Sequence, residues 1–250
     1  MNKHSVNPYY DSLFNAMELW HASHVKGLVM AKKTKRRPGG RDKAGRTAPP
    51  EVRRAQLIDA TIDSIAKYGM SGTTISTVTQ IAGLSQGIAN FHFKSKKNML
   101  CETLRSLAEQ HHDLWESQLE NSGMKSADKL LAIADAHFDP EVCNPRKLAV
   151  WYGFFGEPVH RETYRELVRD IDAERWDVSV DLCRRICEEG KYESVDPEAV
   201  MRDLEALYDG FFLNILVYPD MFSPEDAKRL IRDFLARAFP DHFGPLVKRP

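Results

Sequence analysis

The sequence predicts an all-α protein, with a three-helix head that carries a helix-turn-helix and a larger helical body behind it. Apolar residues recur at helical spacing along most of the chain, and none of its stretches alternates as a half-buried strand would. Prolines at 140, 145, 158, 197, 219 and 224 fall where one helical pattern ends and the next begins. Residues 73–97, TTISTVTQIAGLSQGIANFHFKSKK, compress a helix, a glycine turn, a short second helix and a lysine cluster into one segment.

The elements follow in order. Pro50 and Glu51 open an amphipathic helix in which Ala55, Ile58, Ile62, Ile65 and Ala66 take i, i+3, i+4, i+7 positions, and Gly69 ends it. Val78, Ile81 and Ala82 share one face of the next helix. Gly83 makes the tight turn, Leu84 is the buried hinge, and Ser85 caps a short helix that starts at Gln86. Ile88, Ala89 and Phe93 point inward. Ser95 caps a fourth, longer helix from Lys96 to Glu120 that links head to body. Further helices are expected over 126–138, 145–155, 160–189, 197–218 and 224–238.

The short helix at Gln86 leaves Gln86, Asn90 and His92 to solvent, and Gly87 permits close approach by a partner's surface. Gln and Asn pair bidentately with adenine in a DNA major groove. Lys94, Lys96 and Lys97 surround Ser95, and cations at a helix N-terminus oppose its macrodipole. A phosphate held there would relieve the conflict. The candidate DNA contacts are therefore Gln86, Gly87 and Asn90 as base readers with His92 beside them, Ser85 and Thr74 next to the backbone, and Arg53, Lys94 and Lys96 as phosphate holders.

Charge supports a nucleic-acid partner. The chain totals −1, but residues 31–100 hold 14 Lys and Arg against 4 Asp and Glu, whereas residues 101–250 hold 19 against 30. A basic reading head on an acidic body is the consequence. Lys32 to Arg46, KKTKRRPGGRDKAGR, has eight basic residues and no large apolar side chain, so it is expected to be a disordered basic arm that tracks phosphates or enters a minor groove. The expected organisation is an N-terminal extension over 1–48 containing that arm (32–46), a DNA-binding domain over 49–100, an effector-binding and dimerisation domain over 101–240, and a tail over 241–250. Met30 is a second plausible start just before the arm.

Other chemistry is sparse. Cys101, Cys143, Cys183 and Cys187 lie in helical patterns, which argues for small buried hydrophobes in a reducing cytoplasm rather than a disulfide framework. His111, His112 and Asp113 are adjacent and diverge around a helix, so no metal is expected, and no cofactor or catalytic constellation is expected either. The chain has no apolar run long enough to span a membrane, so no membrane partner is expected. An all-α small-molecule carrier or enzyme without DNA binding is the rival reading, but nucleophile elbow, zinc signature and phosphate loop are all missing.

Residues 51–100 resemble the DNA-binding domain of the TetR family of transcriptional regulators. Val78 to Phe93 matches the family's helix, Ala-Gly turn and recognition helix, and Phe93 with Lys96 matches its Phe-x-x-Lys exit. Thr79 departs from the usual Ala, and Asn90-Phe91-His92 stands where an aromatic pair before His is commoner. Within the family the chain is most similar to the BetI-like subgroup, through Trp151-Tyr152-Gly153-Phe154-Phe155 and the stretch LEALYDGFFL from Leu204. The resemblance implies a cytoplasmic homodimeric repressor on a near-palindromic operator, whose last two helices pair with a partner's and whose body releases DNA on binding a small effector. A choline-type cation is the effector class it implies. Trp151, Phe154, Phe155 and Trp176, with Asp209 and also Glu157 and Asp170 nearby in sequence, are the candidate ligand cage, since aromatic faces and a carboxylate attract a quaternary ammonium. The same aromatics at helical spacing also fit plain core packing. Leu204, Leu207, Phe211, Phe212 and Ile215 form one dimerisation stripe, and Leu230, Ile231, Phe234 and Leu235 another.

Overall fold

A computed structural model describes residues 48–120, 123–156 and 158–244. The expected basic arm, the end of the expected tail beyond Gly244, and Glu157 lie outside the described residues.

The first helix, α1 (Pro50–Gly72), starts with proline at a position that needs no backbone donor and with Glu51 in its first turn, where a negative charge suits the dipole. Its buried face runs through Leu57, Ile58, Ile62 and Ile65, with Thr61 folded back to donate to the Leu57 carbonyl at 2.7 Å. Ala55 and Ala66 are exposed, and Leu57, Ala60, Thr61 and Ser64 are buried instead, so the buried face is displaced from the one the sequence spacing predicts. At Gly69 the backbone swings to φ 71°, ψ 175°, a conformation that breaks the helix before a last turn through Met70.

Next, α2 (Ile75–Ala82) is capped by Thr74, whose hydroxyl accepts from Thr77 N–H while Thr77 Oγ1 accepts from Thr74 N–H. Val78 is fully buried, whereas Ile81 is 38% exposed, contrary to its expected inward position. Thr79 occupies the buried place and satisfies its hydroxyl on the Ser76 carbonyl. Gly83 adopts the left-handed φ 66°, ψ 27° that turns the chain into α3 (Gln86–His92). Ser85 and Ser95 act as the expected N-caps of α3 and of α4 (Lys96–Leu119), accepting from Ile88 N–H at 3.4 Å and Asn98 N–H at 3.1 Å.

The body comprises α5 (Ser126–His137), α6 (Pro145–Gly156), α7 (Pro158–Gly190), α8 (Pro197–Val217), α9 (Pro224–Ala238) and a single turn, α10 (Pro240–Phe243). The first five match the helices expected there. Side-chain caps by Asp196 on α8 and Ser223 on α9, each followed by proline, fix two of the starts.

Two apolar clusters result. The body core gathers Trp115, Ile133, Phe138, Leu148, Ile186, Leu204 and Leu235. The head core gathers Leu57, Ile65, Val78, Ala89, Phe93 and Leu104, and it continues into Val150 and Phe154 of α6 and Val168 of α7. The expected boundary near residue 100 therefore cuts through a continuous core. Arg146 of α6 adds ion pairs to Asp59 and Asp63 of α1, and it donates to the Asp59 carbonyl at 2.9 Å.

Gly153 sets how closely α6 and α1 approach, because a Cβ there would lie 2.7 Å from Met70 Cγ. Gly153→Val is expected to force the helices apart and destabilise the protein by about 1–3 kcal/mol, read as a lower urea midpoint with an unchanged slope.

Candidate nucleic-acid interface and ligand cavity

The exposed side of the helix-turn-helix carries most of the predicted contacts. Gln86, Gly87 and Asn90 are exposed on α3, with Thr74, Ser85 and Lys94 exposed at its flanks; His92 and Arg53 are half-buried. Arg53 donates to Gln56 Oε1 at 3.0 Å in the first turn of α1. Nothing inside the protein requires glycine at 87, since a Cβ there would meet only Ser85 Oγ at 3.7 Å, an ordinary contact. Phe91, absent from the predicted contacts, is 77% exposed on the same helix and rests edge-on against His92 with ring centroids 5.1 Å apart. Only its misfit with an aqueous surface could have flagged it, and that is visible only once the helix face is fixed.

Lys96 has a different partner from the one expected. Its ammonium donates to the Met70 carbonyl at 2.8 Å and the Ser71 carbonyl at 3.3 Å, beyond the break at Gly69. The partner that answers this lysine at an N-terminus is thus the carbonyl end of α1. As placed, Lys96 locks α1 onto α4. Arg54 pairs with Glu102 and ties the same two helices together, while Arg105 pairs with Glu102 within α4.

A cavity of ≈ 290 Å³ lies in the body. Its wall takes Leu107 and His111 from α4, His137 from α5, Trp151, Tyr152 and Phe155 from α6, Tyr164, Asp172 and Arg175 from α7, and Glu205, Tyr208, Asp209 and Phe212 from α8. Trp151, Phe155 and Asp209 of the predicted cage are brought together here. Phe154 and Trp176 are not: Phe154 is 1% exposed in the head core, and Trp176 packs on the body core. Asp170 is exposed and pairs with Arg169.

Polarity in the wall is arranged in pairs with a remainder. Arg175 is buried and grips Glu205 through both guanidinium ends, one at 3.0 Å. Burial works against the Arg175 charge, but the Glu205 bonds and the neighbouring Asp172 outweigh it and raise its pKa. Lys147 also reaches the wall, with its ammonium on Gln110 Oε1 at 2.9 Å and on the Glu141 carbonyl. Burial pushes the carboxyls of Asp172 and Asp209 above the usual range, and Glu205 adds repulsion to both. His111 is driven down to about 3 and His137 well below the ordinary value, both chiefly by burial, so both rings are neutral. With all carboxyls ionised, Asp172, Glu205 and Asp209 exceed Arg175 and Lys147 by one negative charge, and aromatic rings surround them.

His111 and His112 do diverge as expected: His111 faces the cavity, while His112 Nε2 lies 3.1 Å from Glu174 Oε2 on α7, near Glu116. Those three residues could hold a cation, their ligand atoms lying within 4.8 Å of one another, but as placed they form an ion-pair seam between α4 and α7. Cys143 and Cys183 are buried, and burial lifts both thiols to about 12.

A helix-turn-helix head whose core continues into a ligand-sized cavity defines a DNA-binding regulator. Comparison with known proteins agrees. Residues 57–103 match the family described as bacterial regulatory proteins, tetR family, and residues 126–240 match the BetI-type transcriptional repressor C-terminal family. The HTH-type transcriptional regulator BetI of Paraburkholderia phytofirmans is 31% identical over 192 residues, covering 74% of this chain and 92% of that one. A crystal structure from Pseudomonas aeruginosa PAO1 shares the fold at a TM-score of 0.67 and 24% identity, over 81% of this chain and 98% of that one. Another, from Saccharomonospora viridis, was solved in complex with choline; it has a TM-score of 0.62 at 20% identity, over 74% and 96% of the two chains. The chain belongs to the TetR family of transcriptional regulators, with a BetI-type body. It is a DNA-binding repressor by class, not an enzyme, and no helix among the described residues is long and apolar enough to cross a membrane.

Lys96→Ala is expected to cost about 1–3 kcal/mol of stability through the two carbonyls it abandons, measured by urea unfolding, while the salt dependence of DNA binding keeps its slope.

Proposed function

We propose that this protein binds a near-palindromic operator in the cytoplasm as a homodimer and releases it when a small organic cation enters the body cavity. The observation that carries the effector reading is the aromatic wall around an excess of carboxylate, in which Asp172 and Asp209 hold raised pKa values as they would if a cation were missing. A cavity of ≈ 290 Å³ stands at the bottom of the range for small-molecule sites, roughly 300–1,000 Å³, which suits choline and leaves little room for a long acyl chain. The choline held by the Saccharomonospora viridis protein supports the same class.

On DNA, Gln86, Gly87 and Asn90 read bases from the major groove, with Thr74, Ser85 and His92 beside the backbone and Arg53, Lys94 and Lys97 at phosphates. One such helix reads few base pairs, so two related by a two-fold axis read half-sites about 34–36 Å apart. Leu204, Ile215, Ile231 and Leu235 from the predicted dimer stripes are buried within the chain. Leu213 and Val217, 47% and 51% exposed one turn apart on α8 with the open Gly210 behind them, supply the apolar face for a second copy.

A DNA titration across salt, using the promoter of the protein's own operon, tests the interface. Lys94→Ala is expected to reduce the log–log salt slope by about 1, whereas Asn90→Ala leaves the slope and loses roughly 1–3 kcal/mol of discrimination for the specific site. No sequence-specific binding at low salt would overturn the reading.

Choline affinity, measured by calorimetry, is expected to fall roughly tenfold in Asp209→Asn. It should also fall with acid. Asp172 and Asp209 titrate above the usual carboxylate range, so attraction to a cation is full at neutral pH and is lost as pH drops through those raised values. An affinity that stays flat as the pH falls until Asp172 and Asp209 are protonated would exclude a carboxylate-held cation.

A further inference from the structure

The aromatic and acidic wall accounts for a positive charge but not for the two neutral histidines beside it. His137 Nδ1 lies 2.8 Å from the Ile133 carbonyl. A carbonyl only accepts, so Nδ1 carries the ring's proton and, in a neutral ring, Nε2 is left with a bare lone pair. That tautomer is fixed by α5 itself, four residues back, and the ring plane is fixed by stacking on Tyr208 with centroids 4.1 Å apart and planes 21° apart. His111 meets His137 edge to face at 4.5 Å, and its Nε2 is buried without a hydrogen-bond partner in the protein. Burying an unpaired ring nitrogen is unfavourable, and such a group in a cavity wall points to a partner that arrives with the ligand.

We propose that His137 and His111 form the hydrogen-bonding end of the cavity and take up a hydroxyl group of the effector, so that the site selects an organic cation bearing an O–H over one with alkyl groups alone. The hydroxyl donates to His137 Nε2, the nitrogen that the Ile133 carbonyl keeps unprotonated. Its oxygen offers the acceptor that His111 lacks when that ring carries its proton on Nε2. Arg175 cannot take the hydroxyl's proton, because a guanidinium has no acceptor, and it is held by Glu205 through both ends. Tyr152 is likewise engaged, donating to the Asp209 carbonyl at 2.7 Å. The cationic end stays with Asp172, Asp209 and the rings of Trp151 and Phe155, as in the function proposed above, on which this inference rests.

The test compares choline with tetramethylammonium, which keeps the charge and loses the hydroxyl, by calorimetry on the full chain. The wild type is expected to bind choline about tenfold more tightly, equivalent to about 1.4 kcal/mol. In His137→Phe, which keeps the stacking plane but has no ring nitrogen, the ratio of the two affinities is expected to collapse to within about twofold. The Ile133 carbonyl still accepts the backbone N–H of His137 in the helix, so folding should survive. Should His137→Phe fail to fold, His111→Phe carries the test and is expected to lower the same ratio at least threefold. Equal affinities in the wild type, or a ratio that survives in both variants, would overturn the histidine assignment while leaving the cation cage intact. If the wild type binds neither cation, the cage itself fails and this inference fails with it.

Discussion

Everything distinctive about this molecule passes through α6. One face of that helix lies so close to α1 that a side chain at 153 would have to displace Met70, and Val150 and Phe154 complete the head core. Leu148 belongs to the body core, and Trp151, Tyr152 and Phe155 form a wall of the cavity. Among the described residues, Trp151 alone touches both cores and the cavity. A ligand that presses on one face therefore works on a rigid rod whose other face is already against the reading head. The second shared element is α4: Leu107 and His111 reach the cavity, while Lys96 in its first turn grips the carbonyl end of α1. Close-packed contacts of this kind shift between discrete arrangements rather than deform smoothly, which is what coupling between two sites needs. The coupling can be no larger than the difference in the ligand's affinity for the two arrangements.

The cavity shows how a helical body tolerates charge. Arg175 is nearly inaccessible, and its charge is sustained by the two-pronged Glu205 contact with Asp172 3.9 Å away. Breaking such a buried pair would leave an uncompensated ion, so Glu205 is a structural necessity before it is a ligand group. Asp172 and Asp209 are different, because desolvation raises both pKa values without a full cationic partner to offset it. Water still reaches both carboxylates, so an organic cation there would meet two partly desolvated charges rather than relieve a buried one.

The fold was legible from the sequence because its signals are local. Thr74, Ser85, Ser95 and Ser223 cap the helices they precede, and Gly83 takes the left-handed turn that its position demanded. The cavity was only partly legible, because it depends on which of two neighbours faces inward. Trp151, Phe155 and Asp209 were found by their chemistry, but Phe154 and Trp176 have the same chemistry on the wrong side of a helix. Glu205, Tyr208, Asp209 and Phe212 fall at i, i+3, i+4 and i+7, so a mixed polar and aromatic face could have been read from spacing. Tyr164, Asp172 and Arg175 on α7 repeat that pattern more sparsely. Lys96 has a partner that local spacing does not reveal. A cation at a helix N-terminus asks for negative partners, and the sequence cannot say whether a phosphate or a carbonyl 26 residues away will answer.

That last point divides the head's cations by job. Lys96, Arg54 and Arg105 are engaged with α1 carbonyls or Glu102 and hold the scaffold on which α3 rests. Such a scaffold is needed, because α3 spans seven residues and buries only Ala89, far too little to persist alone. Lys94 and Lys97 are exposed at the start of α4, where their charges oppose the helix dipole. Exposed cations beside an exposed N-terminus, next to a glycine with no internal reason to be one, are arranged for an outside polyanion. The exposed Phe91 ring on the same face adds an apolar surface that water disfavours and a groove of base edges and sugars would cover. The reading surface is thus defined less by which residues are basic than by which basic residues the fold has left unused.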